Sequence, residues 1–337
     1  MIVDTYKFLF DKPSIYISIN SFLLEKIKSS IIVKYKSLKK FNEQKLKINY
    51  ETLKYEFQIA DYHLLTRVLK ILKLIGVSKK ELLKNIKGFR VSGSQRKEAT
   101  IVSRKIYLNK NFIEGYALYL AEGNTGSNGK TQPTKLRFTN SELNVIRFFI
   151  QWLITYFPFS NFYLNIILPS QKRVKKDFIK QISKNLDLKI KQIKLRKGYY
   201  NKKIKYVVCY DNAISIYLIL SLEEIIKKAC ERNKKLAAAY IRGMMIGEGT
   251  CYFNKSRYVR IEMRNEKEIK YIYKLLKLLE YDCKPSLRSN RKDMWSIYIG
   301  AKQLKKFYKE IGFGVHQERQ NILKKAINKK LRINQYV

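Results

Sequence analysis

Two nonapeptides decide how this chain is read: Gly115-Tyr-Ala-Leu-Tyr-Leu-Ala-Glu122-Gly123 and Ile241-Arg-Gly-Met-Met-Ile-Gly-Glu248-Gly249. Each is a short apolar stretch that ends in a carboxylate and a glycine, the pattern of a helix closed by a left-handed glycine. Small residues stand four apart at matched positions, Ala117 and Ala121 in one copy, Gly243 and Gly247 in the other. That spacing places them on one helical face, where bare backbone lets two helices approach closely. Packed that way, the helices would carry Glu122 and Glu248 side by side at their C-terminal ends. Two carboxylates against the negative ends of two helix dipoles are unfavourable unless a cation is present. The bland alternative is a pair of ordinary buried helices with solvated end charges.

The sequence beyond the nonapeptides repeats as well, which weighs against that alternative. After Glu122 comes an alternating strand, Lys135-Leu-Arg-Phe-Thr139, and Asn140 opening an apolar helix to about Phe157. After Glu248 comes Arg260-Ile-Glu-Met-Arg264, and Asn265 opening a helix to about Leu279. The asparagine follows the glutamate by 18 positions in the first copy and by 17 in the second. Both asparagines are good helix N-caps. Leu136/Phe138 and Ile261/Met263 form the inward face of each strand, leaving Arg137/Thr139 and Arg260/Glu262/Arg264 on a polar, basic face. In the second copy Cys283–Ser289 and Met294–Gly300 read as a hairpin around Asn290–Asp293, followed by helices at Gln303–Ile311 and Gln317–Lys330. In the first, a strand (Phe162–Leu168) precedes an inserted helix (about Lys172–Leu186), two strands (Lys189–Arg196, Ile204–Asp211) and a helix (Ala213–Cys230).

At these residues the sequence resembles the LAGLIDADG homing endonucleases in their single-chain, two-motif, archaeal-type form, over roughly residues 106–330. The resemblance implies an α+β fold: two pseudo-symmetric αββαββα half-domains (106–232 and 233–337) forming a DNA-binding saddle, behind a mainly helical N-terminal extension (1–105). It implies that the signature helices form the half-domain interface through Ala117, Ala121, Gly243 and Gly247. It also implies that Glu122 and Glu248, with Ala121 and Gly247 beside them, hold divalent metal, Mg²⁺ or Mn²⁺. Both acids are Glu where many members of the family carry Asp. Arg137, Thr139, Arg260, Glu262, Arg264 and Arg288 would face DNA. A basic residue near each scissile phosphate is also implied, with Lys292 in the second hairpin turn and Lys197 or Lys203 in the first as candidates. In so lysine-rich a chain, any such turn lysine is also readable as a phosphate clamp or a solvated charge.

Composition fits this reading. The 337 residues carry 70 Lys+Arg against 27 Asp+Glu, a formal charge of +43, while 46% are hydrophobic. The core material excludes disorder as the main state, and the charge calls for a polyanionic partner. Arg147, Gln151 and Pro158 interrupt the longest apolar run, Val145–Leu168, so no stretch reaches the ~18 clean apolar residues of a membrane helix. Met1–Lys7 shows no secretory leader pattern. The four cysteines and two histidines lack zinc-finger spacing and are expected as reduced thiols in a cytoplasmic or organellar interior. Lysine in excess of arginine, with abundant Ile, Asn and Tyr, fits an AT-rich genome.

Residues 1–105 lie outside the repeat. Leu64–Ile75 reads as a helix closed by Gly76, and Ser78-Lys-Lys-Glu81 as a capping box opening the next. The pair is either a DNA-reading helix-turn-helix or, as favoured here, two helices that pack on the catalytic body. Phe89–Glu98 reads as an exposed basic loop able to touch the DNA backbone, so the extension is also readable as an accessory DNA-binding arm. The leading expectation is thus a monomeric, metal-dependent endonuclease for double-stranded DNA. The alternatives are an intron RNA maturase and a non-catalytic DNA-binding regulator.

Overall fold

The computed structural model describes residues 1–337 except 13, 92–99, 126–134, 158–161, 171–173, 175–176, 199–202, 255, 290 and 329–337. Most of the basic Phe89–Glu98 loop, the middle of the Lys197–Lys203 turn, Asn290, the start of the inserted helix and the last two residues of the Gln317–Lys330 helix therefore lie outside the described residues.

The N-terminal stretch contains β1 (Ile2–Asp4), α1 (Thr5–Phe10), β2 (Ile15–Ile19), α2 (Ser21–Tyr35), α3 (Leu38–Phe41), a π-helical turn at Asn42–Leu46 and α4 (Tyr50–Gln58). β3 (His63–Leu64), α5 (Leu65–Ile75), α6 (Lys79–Asn85), β4 (Ile86–Val91) and β5 (Lys105–Tyr107) follow. It is more than a helical extension, because β3, β2 and β4 form an antiparallel sheet in that order. Ile15-Tyr-Ile-Ser-Ile19 alternates with period two and buries its isoleucines, so the strand was readable there. Gly76 closes α5 in the left-handed region (φ 82°), and Ser78 caps α6 by accepting the Glu81 N–H. The Glu81 carboxylate takes Lys26 instead (2.7 Å), so the reciprocal half of the expected capping box is replaced by an ion pair between helices.

β1 pairs with β5, which fastens the first residues to the strand leading into the central helix pair. Tyr217 Oη donates to Phe8 O and Asn212 Nδ2 to Thr100 Oγ1, so the N-terminal stretch is packed against the first repeat.

The first repeat runs α7 (Lys110–Glu122), β6 (Gly123–Asn124), β7 (Leu136–Asn140), α8 (Leu143–Tyr156), β8 (Phe162–Pro169), α9 (Phe178–Leu186), β9 (Ile193–Gly198), β10 (Lys205–Tyr210), α10 (Ala213–Ser221) and α11 (Glu223–Glu231). The second runs α12 (Lys234–Glu248), β11 (Gly249–Tyr252), β12 (Tyr258–Met263), α13 (Glu266–Leu278), β13 (Pro285–Leu287), β14 (Trp295–Gly300), α14 (Leu304–Glu310) and α15 (Gln317–Asn328). The sheet orders are β6-β7-β10-β8-β9 and β11-β12-β14-β13. They superpose in kind once β9 is set aside. β9 reaches the edge of the first sheet through the α9 crossover and pairs with β8 in parallel, whereas the other pairings within these two sheets are antiparallel.

Local chemistry departs from the sequence reading at three places. Asn265 caps α13 by accepting the Glu268 N–H, but its counterpart Asn140 ends β7 and accepts from Glu142 N, so α8 starts only at Leu143. The helix expected over Ala213–Cys230 is two helices meeting at Leu222, where Ser221 Oγ back-bonds to Tyr217 O, a contact that bends helices. Gly123 and Gly249 are extended, not left-handed, with φ of −85° and −78°. They lead straight into β6 and β11, and glycine is required for space. A Cβ at Gly123 would lie 2.2 Å from the Tyr119 ring, and one at Gly249 would lie 2.5 Å from Met245 O.

Among the described residues, no helix is long and apolar enough to cross a membrane. The cysteines are unpaired, and burial pushes the Cys209, Cys230, Cys251 and Cys283 thiols upward, away from reactivity.

Candidate active site at the end of a helix pair

The core of the two repeats is the contact between α7 and α12, and its closeness follows from side-chain size. A Cβ built on Gly243 would fall 2.3 Å from Glu114 O and 2.8 Å from Ala117 Cβ, and one on Gly247 would fall 2.5 Å from Ala121 Cβ. Each alanine of α7 thus fills the space left by a glycine of α12. Gly115 serves a different neighbour, because its missing Cβ makes room for Trp152 (2.2 Å to Cδ1). The Trp152 indole N–H donates to Phe112 O at 3.0 Å.

A partly buried ion pair pins the helices at mid-length. Arg242 donates to Glu114 at 3.2 Å, to Glu310 O at 3.0 Å and to Ile311 O. Burial raises the Glu114 carboxyl, and Arg242 offsets part of that rise.

Because the small residues meet in matched order, the helices run the same way and deliver Glu122 and Glu248 to one end. Glu122 Cγ packs against Gly247, within 3.0 Å of where a Cβ there would stand. Burial, then the charge of Glu248, pushes the Glu122 carboxyl up to about 7, while Arg319 and Lys205 pull it down. Glu248 is open to solvent on one side. Its carboxyl is also raised, by burial of its inner side and by Glu262, and lowered by Arg319.

Arg319, on α15, is the residue that sequence reading missed. Its guanidinium donates to Met245 O (3.1 Å), Ile246 O (2.6 Å) and Gly247 O (2.8 Å), the carbonyls of the last turn of α12. A cation there satisfies orphan carbonyls and opposes the negative end of the dipole. Burial lowers the pKa of this arginine, and Glu122 and Glu248 lead the charges that raise it. His316 stands immediately before the same helix and is buried. Its imidazole is held down to about 4 by burial and by the charges of Arg319 and Lys203. Lys205, also missed, faces Glu122 from the first residue of β10. Strand alternation with inward Tyr206 could have pointed to Lys205, but nothing local in Gln317–Asn328 marks Arg319.

The other expected residues fall into three groups. Arg137 is outward on β7 but bonded to Asp211 (2.7 Å), and Thr139 is outward beside it, half-buried. On β12, Glu262 is held by Arg260 (3.0 Å), Arg288 (2.9 Å) and Arg291 (2.7 Å), so it organises arginines. The Arg260 guanidinium also lies over the Tyr252 ring. Arg264 is exposed just beyond the strand, and Lys197 and Lys292 are exposed in or beside their turns. Of the three candidate lysines, Lys203 is the one whose charge is felt in the His316–Arg319 cluster.

The donor chemistry suits a hard divalent cation. Each helix offers carboxylate oxygens and a last-turn carbonyl, that of Gly247 already accepting from Arg319. Burial leads the rise of both acids, with Glu248 adding to that of Glu122 and Glu262 to that of Glu248, and a cation at the pair would oppose this charge. No group of three or more His, Cys, Asp or Glu side chains poised for a metal occurs among the described residues. Two carboxylates, Glu122 and Glu248, stand at this end of the helix pair.

Residues 235–312 match the family described as the LAGLIDADG-like domain, from the start of α12 to the end of α14. This stretch is a LAGLIDADG-like domain. No curated protein sequence matches the chain. Among solved structures, the homing endonuclease I-DmoI in complex with DNA and Mn is similar at 15% identity and a TM-score of 0.36, over 61% of this chain and 98% of that one. The homing endonuclease I-WcaI bound to its DNA recognition sequence gives 13% and 0.40, over 65% and 88%. Full-length DUF199/WhiA from Thermatoga maritima gives 12% and 0.39, over 68% of this chain and 65% of its own. In this chain the LAGLIDADG-like domain contributes Glu248, and α7, ahead of it in sequence, contributes Glu122.

Proposed function

We propose that the protein is a sequence-specific endonuclease for double-stranded DNA, with residues 106–232 and 233–337 as its two half-domains and residues 1–105 as an accessory extension. The observation that carries this reading is the pair of carboxylates brought to one end of two interlocked helices, each followed by a short strand (β6, β11) paired with a second strand (β7, β12) whose outer face carries arginine. Glu122 and Glu248, with the carbonyl of Ala121, would hold Mg²⁺ or Mn²⁺; the Gly247 carbonyl already accepts from Arg319, so only its second lone pair could join them. When bound, the metal supplies the Lewis acidity that phosphodiester hydrolysis needs. Arg319 holds the last turn of α12 and so fixes where Glu248 points, and Lys205 and Lys203 place positive charge where a scissile phosphate would approach.

Arg137, Thr139, Arg260, Arg264 and Arg288 make the two sheets a basic saddle for the duplex. Glu262 shapes that surface through the arginines it holds. Phosphate contacts position the duplex and base-edge contacts specify it.

The test is incubation of the purified chain with a plasmid library of random inserts and Mg²⁺, with the cut ends sequenced. Double-strand breaks at one recurring, partly symmetric sequence, lost in Glu122→Gln and Glu248→Gln, are expected. Wild-type cleavage by both variants would overturn the site. Tight duplex binding that ignores Mg²⁺ and leaves the DNA whole would overturn the enzyme and leave a regulator.

A further inference from the structure

The N-terminal stretch contains a concavity of about 690 Å³ whose lining includes Lys34, Tyr35, Gln44, Lys45, Lys70 and Lys73, and no acidic residue. Four like charges on one wall repel each other, an arrangement that favours an anionic partner. Two of them are fastened to the main chain, Lys34 to Leu74 O (2.7 Å) and Lys70 to Leu46 O (3.5 Å). These contacts satisfy carbonyls at the end of α5 and of the π-turn. Lys45 and Lys73 are exposed beside them.

One wall is built from unusual backbone. The π-turn Asn42–Leu46 stands between Lys36 (φ 68°) and Lys47 (φ 54°), two non-glycine residues in the left-handed region. Such conformations cost about 1–3 kcal/mol each and persist where the surroundings over-determine them. Here Asn42, itself buried, clamps the turn by donating to Ile48 O (2.7 Å) and accepting from Ile48 N (3.2 Å). The turn carries Gln44 and Lys45 into the concavity and holds them there. The same turn sends Leu46 into the hydrophobic core, so it is anchored from inside while Gln44 and Lys45 face out.

We propose that this concavity is a second nucleic-acid contact, binding the phosphate backbone of duplex DNA beyond the part held by the saddle. It rests on the DNA-binding half of the proposed function and is independent of cleavage. Several cations around one open concavity suit consecutive phosphates, whose capture releases counterions. Lys45 and Lys73 contribute through charge, and Lys34 and Lys70 contribute charge while holding the wall.

The experiment measures binding of a fluorescent duplex without Mg²⁺, over a salt series, in the full chain carrying Glu122→Gln. The comparison is between K45Q/K73Q and a control pair, K302Q/K305Q, exposed lysines away from the concavity. If each lost phosphate contact removes about 0.9 from the log–log salt slope, K45Q/K73Q should flatten it by about 1.8 and weaken binding roughly tenfold at low salt. The control should change it by less than about twofold. The K45R/K73R variant, which keeps the charge, should bind as the parent does. Equal effects of the two glutamine pairs would overturn the proposal, as would failure of arginine to restore binding. A slope change seen with single-stranded RNA but not with duplex DNA would overturn it in favour of an RNA site. Absence of cleavage by the wild-type chain would sink the endonuclease reading and leave this result standing.

Discussion

The two repeats share a plan and differ in their electrostatics. In both, a helix ends in glutamate, an extended glycine leads into a strand, and a second strand presents alternate residues outward. Yet the end of α12 is held by Arg319 through three carbonyls, while Glu122 on α7 is shifted up to about 7 and faces Lys205 across the site. The outer faces differ as well, with one Arg137–Asp211 pair in the first and three arginines gathered on Glu262 in the second. The lesson is that duplication fixes backbone and packing, while charge is set by whatever the chain adds around each copy. α15 belongs to the second repeat, and its arginine reaches the end of α12.

The largest effect is expected from breaking the interlock that makes the copies adjacent. Gly247→Ala puts a Cβ 2.5 Å from that of Ala121 and should cost about 2–3 kcal/mol. Combining it with Ala121→Gly moves the methyl to the other helix and should recover most of that loss. Urea denaturation of the two single variants and the double variant gives the coupling directly, and additive costs would mean that the two sites do not interlock.

Next is the asymmetry itself. Arg319→Gln removes charge-assisted bonds to three carbonyls and should lower stability by about 1–3 kcal/mol. Mn²⁺ should then raise the melting temperature more in this variant than in the wild type, because the acids have lost their protein cation. An equal Mn²⁺ shift in both proteins would show that Arg319 is not charge-coupled to the acids.

A smaller effect concerns pH. The folded pKa of His316 is about 4 against 6.5 for the ordinary imidazole. Between those values the unfolded chain binds a proton that the folded chain refuses. The contribution is therefore complete above about 6.5 and is lost as pH falls toward about 4. Urea midpoints across that range should fall less steeply in His316→Asn, which keeps an acceptor for the Arg319 N–H.

The helix pair, its small-residue seam, the paired acids and the strand that follows each were legible because they are local and duplicated. Asn265 behaved as its sequence suggested, but Asn140 was drawn into β7, an outcome decided by strand pairing with β10. The sheet at Ile15–Ile19 was equally local and was overlooked among lysine-rich helices. Arg319 was not legible at all, since one arginine in a basic helix gains its meaning only when α15 folds back onto α12. Glycine after the glutamate was legible as a residue but not as a reason, because close approach to Tyr119 and Met245 demands it and left-handed backbone does not.

The central claim is that Glu122 and Glu248 form one coupled divalent-metal site. Manganese binding followed by electron paramagnetic resonance, in wild type, Glu122→Gln, Glu248→Gln and the double variant, tests it most directly. The account predicts saturable binding that is weakened by either single change and abolished by both, in protein that remains folded. Manganese binding that is unaltered in the double variant would contradict it.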